Sequence, residues 1–458
     1  MSAVERAFVS TRVVLPGERA PRPAAVLVAK GTVVDVVAPA ERPRDVDVVD
    51  LVDAVLLPGL VDSHVHVNEP GRTAWEGFAT ATRAAAAGGI TALVDMPLNS
   101  LPPTTSVAAF DEKLDAARGQ LAIDVGFWGG VVPGNAEDLV PLLKRGVLGF
   151  KCFLIDSGVP EFKNVDEADL DRALAILRDA RAPLLAHAEL QGPIDRARSA
   201  AARHAPRTYA HHLASRPKEA EDEAVALVIK LARKRGGRVH IVHHSSSTAL
   251  SALERARADG VALTVETCPH YLSFAAEEIP DGATWFKCTP PIRERANQDA
   301  LWDALARRVI DAVVSDHSPC TGALKRMDTG DFDAAWGGIS SLQLTLPATW
   351  TGARAHGATL ADLARWMSEQ PAALAGLAHK GAIARGKDAD LVAFDPDARF
   401  VVDQQALAHK NKITPYHGRE LTGVVRATWV RGALAYKRGS DVGDARNGRV
   451  ILGRSSGS

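Results

Sequence analysis

The sequence is short of several things, and each shortage removes a class of protein. Its 458 residues include only four cysteines, Cys152, Cys268, Cys288 and Cys320, with no Cys-X-X-Cys among them. Thiols so scattered make neither a disulfide framework nor a structural zinc finger. Charge of one sign is not in excess, since the formal net charge is −1. A balanced chain carries no electrostatic footprint for nucleic acid or for a membrane surface. No apolar run reaches the ~18 residues of a membrane-spanning helix. The start, Met1-Ser-Ala-Val-Glu-Arg6, lacks the apolar stretch of a secretory signal. Together these absences predict a cytoplasmic protein in a reducing compartment. There is no solenoid-length repeat, and no low-complexity tract beyond Ala84-Ala-Ala-Ala87.

What is present is an alternation. Between about residues 55 and 316, short β-branched runs at 55–63, 90–95, 123–131, 147–154, 183–187, 238–243, 261–266 and 311–316 alternate with helical patterns such as 74–87, 136–145, 166–181, 219–235 and 247–258. Alternating strands and helices imply a parallel sheet. Eight such strands are the count of a (β/α)8 barrel, which takes ~250 residues plus insertions. An open doubly wound sheet is the competing architecture, but no Gly-X-Gly-X-X-Gly follows the first strand to support it. Both ends of the chain read differently. Residues 26–29 and 32–37 form a hairpin pattern around Lys30-Gly31, and 389–394 and 424–430 are further strands. The predicted fold is therefore α/β. A barrel over 55–379 is inserted into a small β-sandwich made of 1–54 and 380–450, and 451–458 form a flexible tail.

The working face of such a barrel lies at the C-terminal ends of its strands. Strand 1 ends in His64 and His66, which share one face because alternate residues of a strand point the same way. Strand 4 carries Lys151, strand 5 ends in His187, strand 6 in His243 and strand 8 in Asp316. Strand 6 offers His240, His243 and His244, which cannot all be ligands, and a slip of one residue exchanges the candidates. Lys151 is flanked by Val147, Leu148, Phe150, Cys152, Phe153 and Leu154. An ammonium in that setting is costly, so its pKa falls. A neutral amine can add carbon dioxide, and the resulting carbamate (N6-carboxylysine) offers two oxygens to a pair of cations. Two divalent ions carry +4, from which the carbamate, Asp316 and one hydroxide remove three. Nitrogen and oxygen donors without thiolate suit zinc, and cobalt, iron or manganese after it. Two metals about 3.5–4 Å apart can hold a hydroxide between them.

These residues bring a family with them. The stretch Gly59-Leu-Val-Asp-Ser-His-Val-His66, the lysine in Gly149-Phe-Lys151 and Ser315-Asp-His-Ser318 resemble the cyclic amidohydrolases of the amidohydrolase superfamily, in the branch of hydantoinases and dihydroorotases. Within that branch the chain is most similar to the allantoinases. The supporting stretches include Asp95-Met-Pro-Leu-Asn99 with its continuation to Thr105, Phe150 to Phe162, Ser215-Arg-Pro217, Glu266 to Tyr271, Phe286 to Arg293 and Lys412 to Tyr416. The resemblance implies two divalent metals held by His64, His66, carboxylated Lys151, His187, His243 and Asp316. It also implies Asp316 as general base and acid, a cyclic ureide substrate, and a homotetramer. His244 departs from the family, which has an apolar residue there. Related hydantoinases place a tyrosine hydroxyl shortly after the lysine as oxyanion donor, and no tyrosine follows Lys151 closely here. Ser157 or a backbone N–H takes that role, and Asn99 and Thr289 are further candidates for substrate contact. Asp62 and Asn99 are candidates to orient ligands or substrate. Arg72 keeps a dihydroorotase open, because a carboxylated ring needs a cation. The same motifs also suit a hydantoinase or dihydropyrimidinase, and the same fold could serve as a scaffold without metal.

Overall fold

The computed structural model describes residues 4–440 and 446–453. Eight parallel strands form the centre of the molecule. They are Leu60–Val65, Ile90–Asp95, Asp124–Phe127 continued by Gly129–Gly130, Phe150–Phe153, Pro183–His187, Arg238–Ile241, Leu263–Thr267 and Ala312–Val313, numbered below as barrel strands 1 to 8. Neighbours pair in parallel register, for example Lys151 with Leu185 and Ala186 with Ile241. Two joints close the ring. Leu148 N–H donates to the Phe127 carbonyl at 2.9 Å, and Val65 bridges to His317. The strands are buried on both faces and therefore read as continuous apolar runs.

Helices cover the outside. Phe78–Ala87 is alanine-rich and ends at Gly88, where an added Cβ would lie 2.9 Å from the Leu342 carbonyl oxygen. Glu167–Asp179 starts where the Asp166 carboxylate accepts from Asp169 N–H at 2.8 Å, a side-chain N-cap. Lys218–Arg235 ends at Gly236 with a basic last turn, which suits the negative end of its dipole.

Strands from both ends of the chain, Arg6–Val13, Arg22–Ala29, Thr32–Val37, Asp47–Asp50, Val55–Pro58, Leu391–Val401, Glu420–Val430 and Ala433–Lys437, make one eight-stranded sheet. Its core includes Phe8 and Trp429, packed edge to face at 5.1 Å. The hairpin over 22–37 turns at Lys30 and Gly31 with φ of 49° and 76°, the left-handed pair that a two-residue loop requires.

Most strand and helix ends differ from the sequence reading by a few residues, and three differences bear on the domains and the mouth. The apolar run at 55–63 is shared by two sheets: Val55–Pro58 pairs antiparallel with Leu391–Val401, and barrel strand 1 begins only at Leu60. Gly59 makes the crossing, since a Cβ there would sit 2.2 Å from Thr91 Oγ1. Hydrophobicity alone does not show where such a run changes partners. The first helix begins at Phe78, because the preceding residues form a loop over the barrel mouth. Residues 451–453, assigned by composition to a flexible tail, are held against the barrel: Ile451 N–H donates to Val125 O and Gly453 N–H to Gly146 O, both at 2.8 Å. Residues 454–458 of that tail lie outside the described residues.

Candidate active site

The strand ends bring the six side chains singled out in the sequence to one place. The imidazole centroids of His64 and His66 are 5.5 Å apart, those of His64 and His243 5.3 Å, and those of His187 and His243 4.6 Å. Asp316 Oδ1 lies 3.2 Å from His64 Nε2 and 3.6 Å from His66 Nε2. Lys151 is buried, with no partner for its Nζ. Burial lowers its pKa to about 8, against the pull of the Glu266 and Asp316 carboxylates. His66, His187 and His243 are each held below the ordinary imidazole range, burial being the largest cause. They are thus neutral near pH 7, the form in which imidazole donates a lone pair.

Fixed partners select which ring nitrogen faces the centre. His64 Nδ1 bonds Glu266 Oε1 at 2.5 Å, His66 Nδ1 bonds the Leu98 carbonyl at 2.9 Å, and His187 Nε2 bonds Glu189 Oε2 at 2.8 Å. His64 Nε2, His187 Nδ1, His243 Nδ1 and Lys151 Nζ are then buried without any hydrogen-bond partner. Such orphans are rare in a folded protein. In the same cluster, His64, His66 and Asp316 offer ligand atoms that all lie within 4.8 Å of one another, which fits a cation, and the carboxylate–histidine pairs behind the imidazoles are the usual support of metal-binding histidines. Two of the six residues, His243 at φ 34° and Asp316 at φ 42°, are among the nine described non-glycine residues with positive φ. Positive φ at non-glycine residues is strained and is commonest at functional sites.

The three histidines of strand 6 separate cleanly. His240 bonds Thr264 Oγ1 through Nδ1 at 2.8 Å and approaches Glu266 Oε2 at 2.9 Å through Nε2, so it steadies the carboxylate behind His64. His244 is buried 3.7 Å from Glu221, whose oxygens also bind Arg293 and the Ser245 and Ser246 N–H groups. Only His243 joins the cluster. A rival grouping of Cys268, His270 and Asp316 is also compact. Burial holds the Cys268 thiol far above its ordinary pKa, so without a metal it is the neutral thiol.

Glu266 and Glu189 were not singled out from the sequence. Burial alone would raise the pKa of Glu266, but its contacts with His64 and His240 bring it below the ordinary value. A carboxylate inside an apolar strand, Leu263-Thr-Val-Glu266, was the signal that could have found it. Asp62 accepts from His64 N–H at 3.1 Å and from Ser315 N–H at 3.1 Å, joining barrel strands 1 and 8 beneath the centre. Burial pushes its pKa up to about 6.

The cluster opens into a cavity of about 400 Å³ lined by His66, His187, His243 and Asp316 together with Asn99, Ser157 and Thr289. A larger cleft of about 920 Å³ opens at the N-terminal ends of strands 5 and 6, near Pro183 and Arg238, but contains none of the six residues. Ser157 lines the smaller cavity, yet its hydroxyl already donates to the Phe162 carbonyl at 2.6 Å and organises its own loop. Asn99 donates to Asn68 Oδ1 at 3.2 Å. Thr289 begins a segment fixed by Tyr271, whose hydroxyl donates to Pro290 O at 2.8 Å. Arg72 does not line the cavity; it donates to the Asn99 carbonyl at 2.6 Å.

The model of the "Amidohydrolase family" matches residues 55–435, most of the chain. The chain belongs to the amidohydrolase family. Among the proteins similar to this amidohydrolase is the allantoinase of Streptomyces avermitilis, 56% identical over 435 residues and covering 94% of this chain and 95% of that protein. The allantoinase of Saccharomyces cerevisiae is 44% identical over 458 residues, covering 97% and 98%. The allantoinase of Arabidopsis thaliana is 45% identical over 419 residues, covering 89% and 82%. Among solved structures, the L-hydantoinase (dihydropyrimidinase) of Arthrobacter aurescens superposes with a TM-score of 0.93 at 27% identity, covering 98% of this chain and all 100% of that one. The dihydropyrimidinase of Brevibacillus agri gives 0.89 at 28% identity, with 98% of both chains covered.

Proposed function

We propose that this amidohydrolase opens the hydantoin ring of allantoin to give allantoate. The observation that carries the proposal is the convergence of neutral imidazoles, an unpartnered buried lysine and Asp316 on one cavity, in a chain 56% identical to an allantoinase. The proposed metal-binding residues are His64, His66, Lys151, His187, His243 and Asp316. Lys151 serves as its carbamate: the neutral amine adds to carbon dioxide and loses one proton, which yields N6-carboxylysine. When bound, two divalent ions, zinc above all, would polarise the amide carbonyl and acidify a water.

The chain's own residues do the rest. Asp316 accepts the proton of the attacking water and returns it to the ring nitrogen as the C–N bond breaks, so the carbonyl leaves as a carboxylate and the nitrogen as a terminal urea. Ser318 donates to Asp316 Oδ1 at 2.7 Å and holds the carboxylate in position for that relay. Glu266, Glu189 and the Leu98 carbonyl keep the imidazoles in the required tautomers. Asn99 and Thr289 are the proposed substrate contacts. Ser157 acts through the loop it organises, and a backbone N–H is the proposed oxyanion donor. The barrel (60–379), the terminal domain (1–58 and 380–450), a homotetrameric assembly and a cytoplasmic location complete the proposal.

The likeness to hydantoinase structures supports a second reading, in which the substrate is a hydantoin or dihydropyrimidine without the ureido group. Arg72, the cation considered for a dihydroorotase, lies outside the cavity and is committed to Asn99 and Glu161, whereas Arg216 and Lys287 line it. Metal analysis of the purified enzyme, with turnover of allantoin, hydantoin and dihydroorotate, separates these readings. Turnover of dihydroorotate or hydantoin in preference to allantoin would refute the first.

A further inference from the structure

One aromatic side chain at the mouth has no part in the chemistry above. Trp336 is half-buried and lines the cavity beside His66, His187 and Asp316. It meets Trp75 edge to face, with ring centroids 5.0 Å apart, and faces Gly158, where an added Cβ would lie 3.7 Å from the indole. Trp75 in turn carries the Arg72 guanidinium 5.2 Å from its ring centroid. Three loops, those following strands 1, 4 and 8, therefore converge on this one indole.

The backbone that carries it is clamped. Lys325, only 3% exposed, donates to the Trp336 carbonyl at 3.1 Å and to the Gly338 carbonyl. Lys287 donates to Asp333 O at 3.2 Å and Ala335 O at 2.6 Å. Trp336 N–H donates to Leu324 O, and Gly338 N–H to Lys287 O, both at 2.8 Å. Gly338 has φ of +118°, and a Cβ there would lie 2.3 Å from the Ser318 carbonyl, so the loop sits directly on the turn that carries Asp316. Burying an ammonium to hold two carbonyls is costly. The result is a wall whose distance from the reacting centre is set. Among the described residues, none accepts a hydrogen bond from the Trp336 indole N–H.

We propose that Trp336 determines which ring substituent the pocket accepts, admitting a flat hydrogen-bonding group such as a ureido and excluding bulky aryl groups. The inference rests on the cyclic-ureide reading. A planar urea can stack on the indole face or, lying at the ring edge, accept a hydrogen bond from the free N–H. A wider group would have to displace a wall that cannot retreat with its backbone.

The test uses the metal-loaded enzyme with allantoin, unsubstituted hydantoin and 5-phenylhydantoin. Trp336→Ala is expected to lower kcat/KM for allantoin about tenfold, mainly through KM, to change hydantoin by less than about threefold, and to raise 5-phenylhydantoin about tenfold, the usual scale of pocket-shape discrimination. Trp336→Phe, which keeps the wall and loses the N–H, should still exclude the phenyl compound. Trp75→Ala loosens the wall from the other side and should shift selectivity the same way. Equal losses on all three substrates, or no gain on 5-phenylhydantoin at unchanged metal content in either alanine variant, would overturn the inference. A wild-type enzyme that opened hydantoin but ignored allantoin would defeat the substrate reading, while the hydantoin to 5-phenylhydantoin ratio would still judge the wall.

Discussion

Two buried lysines at opposite ends of the barrel are treated in opposite ways. Lys380, at the junction with the terminal sheet, is surrounded by Asp124 at 2.6 Å, Asp390 at 2.7 Å and Asp388 at 2.9 Å. Burial alone would lower its pKa, but the three carboxylates raise it above the ordinary value. Lys151, at the mouth, has no hydrogen-bond partner, and burial lowers its pKa to about 8. Both are nearly inaccessible, at 6% and 1% exposure. The lesson is that burial of a cation identifies nothing by itself. A compensated lysine ties two parts of a fold together, whereas an uncompensated one is free for chemistry.

Breaking the comparison at its functional end should have the largest effect. Lys151→Ala is expected to lose activity by about three orders of magnitude or more, together with bound metal. Metal content and turnover measured on one preparation check this; full metal with unchanged turnover would refute the bridging role. At the structural end, Lys380→Met leaves the buried Asp390 carboxylate without its cation, although Asp124 keeps Arg431, and should cost about 3–5 kcal/mol of stability, with activity per folded molecule preserved. Urea denaturation reads that cost.

The same lysine carries a pH signature. Its folded pKa is raised, so its contribution is complete below the unfolded value of about 10.5 and is lost as pH climbs through the folded value. Wild type should therefore lose melting temperature above about pH 10.5, and Lys380→Met should show a shallower loss. A smaller effect is expected at the support of the centre. Glu266→Gln keeps the shape but weakens the hold on His64 and His240, and metal affinity should fall about 10–100-fold. Competition with a chelator measures it. Ser157→Ala should be the mildest, within about threefold in kcat/KM, because the hydroxyl is spent on Phe162 O. A large fall in kcat alone would restore Ser157 as oxyanion donor.

How far the sequence reaches follows the same physics. Strands 2 and 5 were predicted at the bounds they have, because each is a compact apolar run ended by a polar residue, Asp95 or His187. The six residues proposed for the centre were each legible as a polar group that closes or interrupts an apolar strand, and the fold makes them neighbours. Glu266 was less so, since its partner His64 lies 202 residues away and no local pattern couples them. The choice among His240, His243 and His244 depends on a one-residue register, and on a backbone that turns to positive φ at His243. Ser157 looked free because its acceptor, Phe162 O, becomes a neighbour only when the loop closes.

By itself, the chain's pattern of apolar runs and interrupting polar residues determined a barrel with histidines, a lysine and an aspartate at its mouth, because periodicity and local chemistry are written residue by residue. Only the tertiary structure decided which nitrogen of each imidazole faces inward, which buried lysine is compensated and which aromatic ring walls the cavity. Those outcomes depend on contacts between distant segments, and the burial that makes such contacts strong exists only once the barrel has closed.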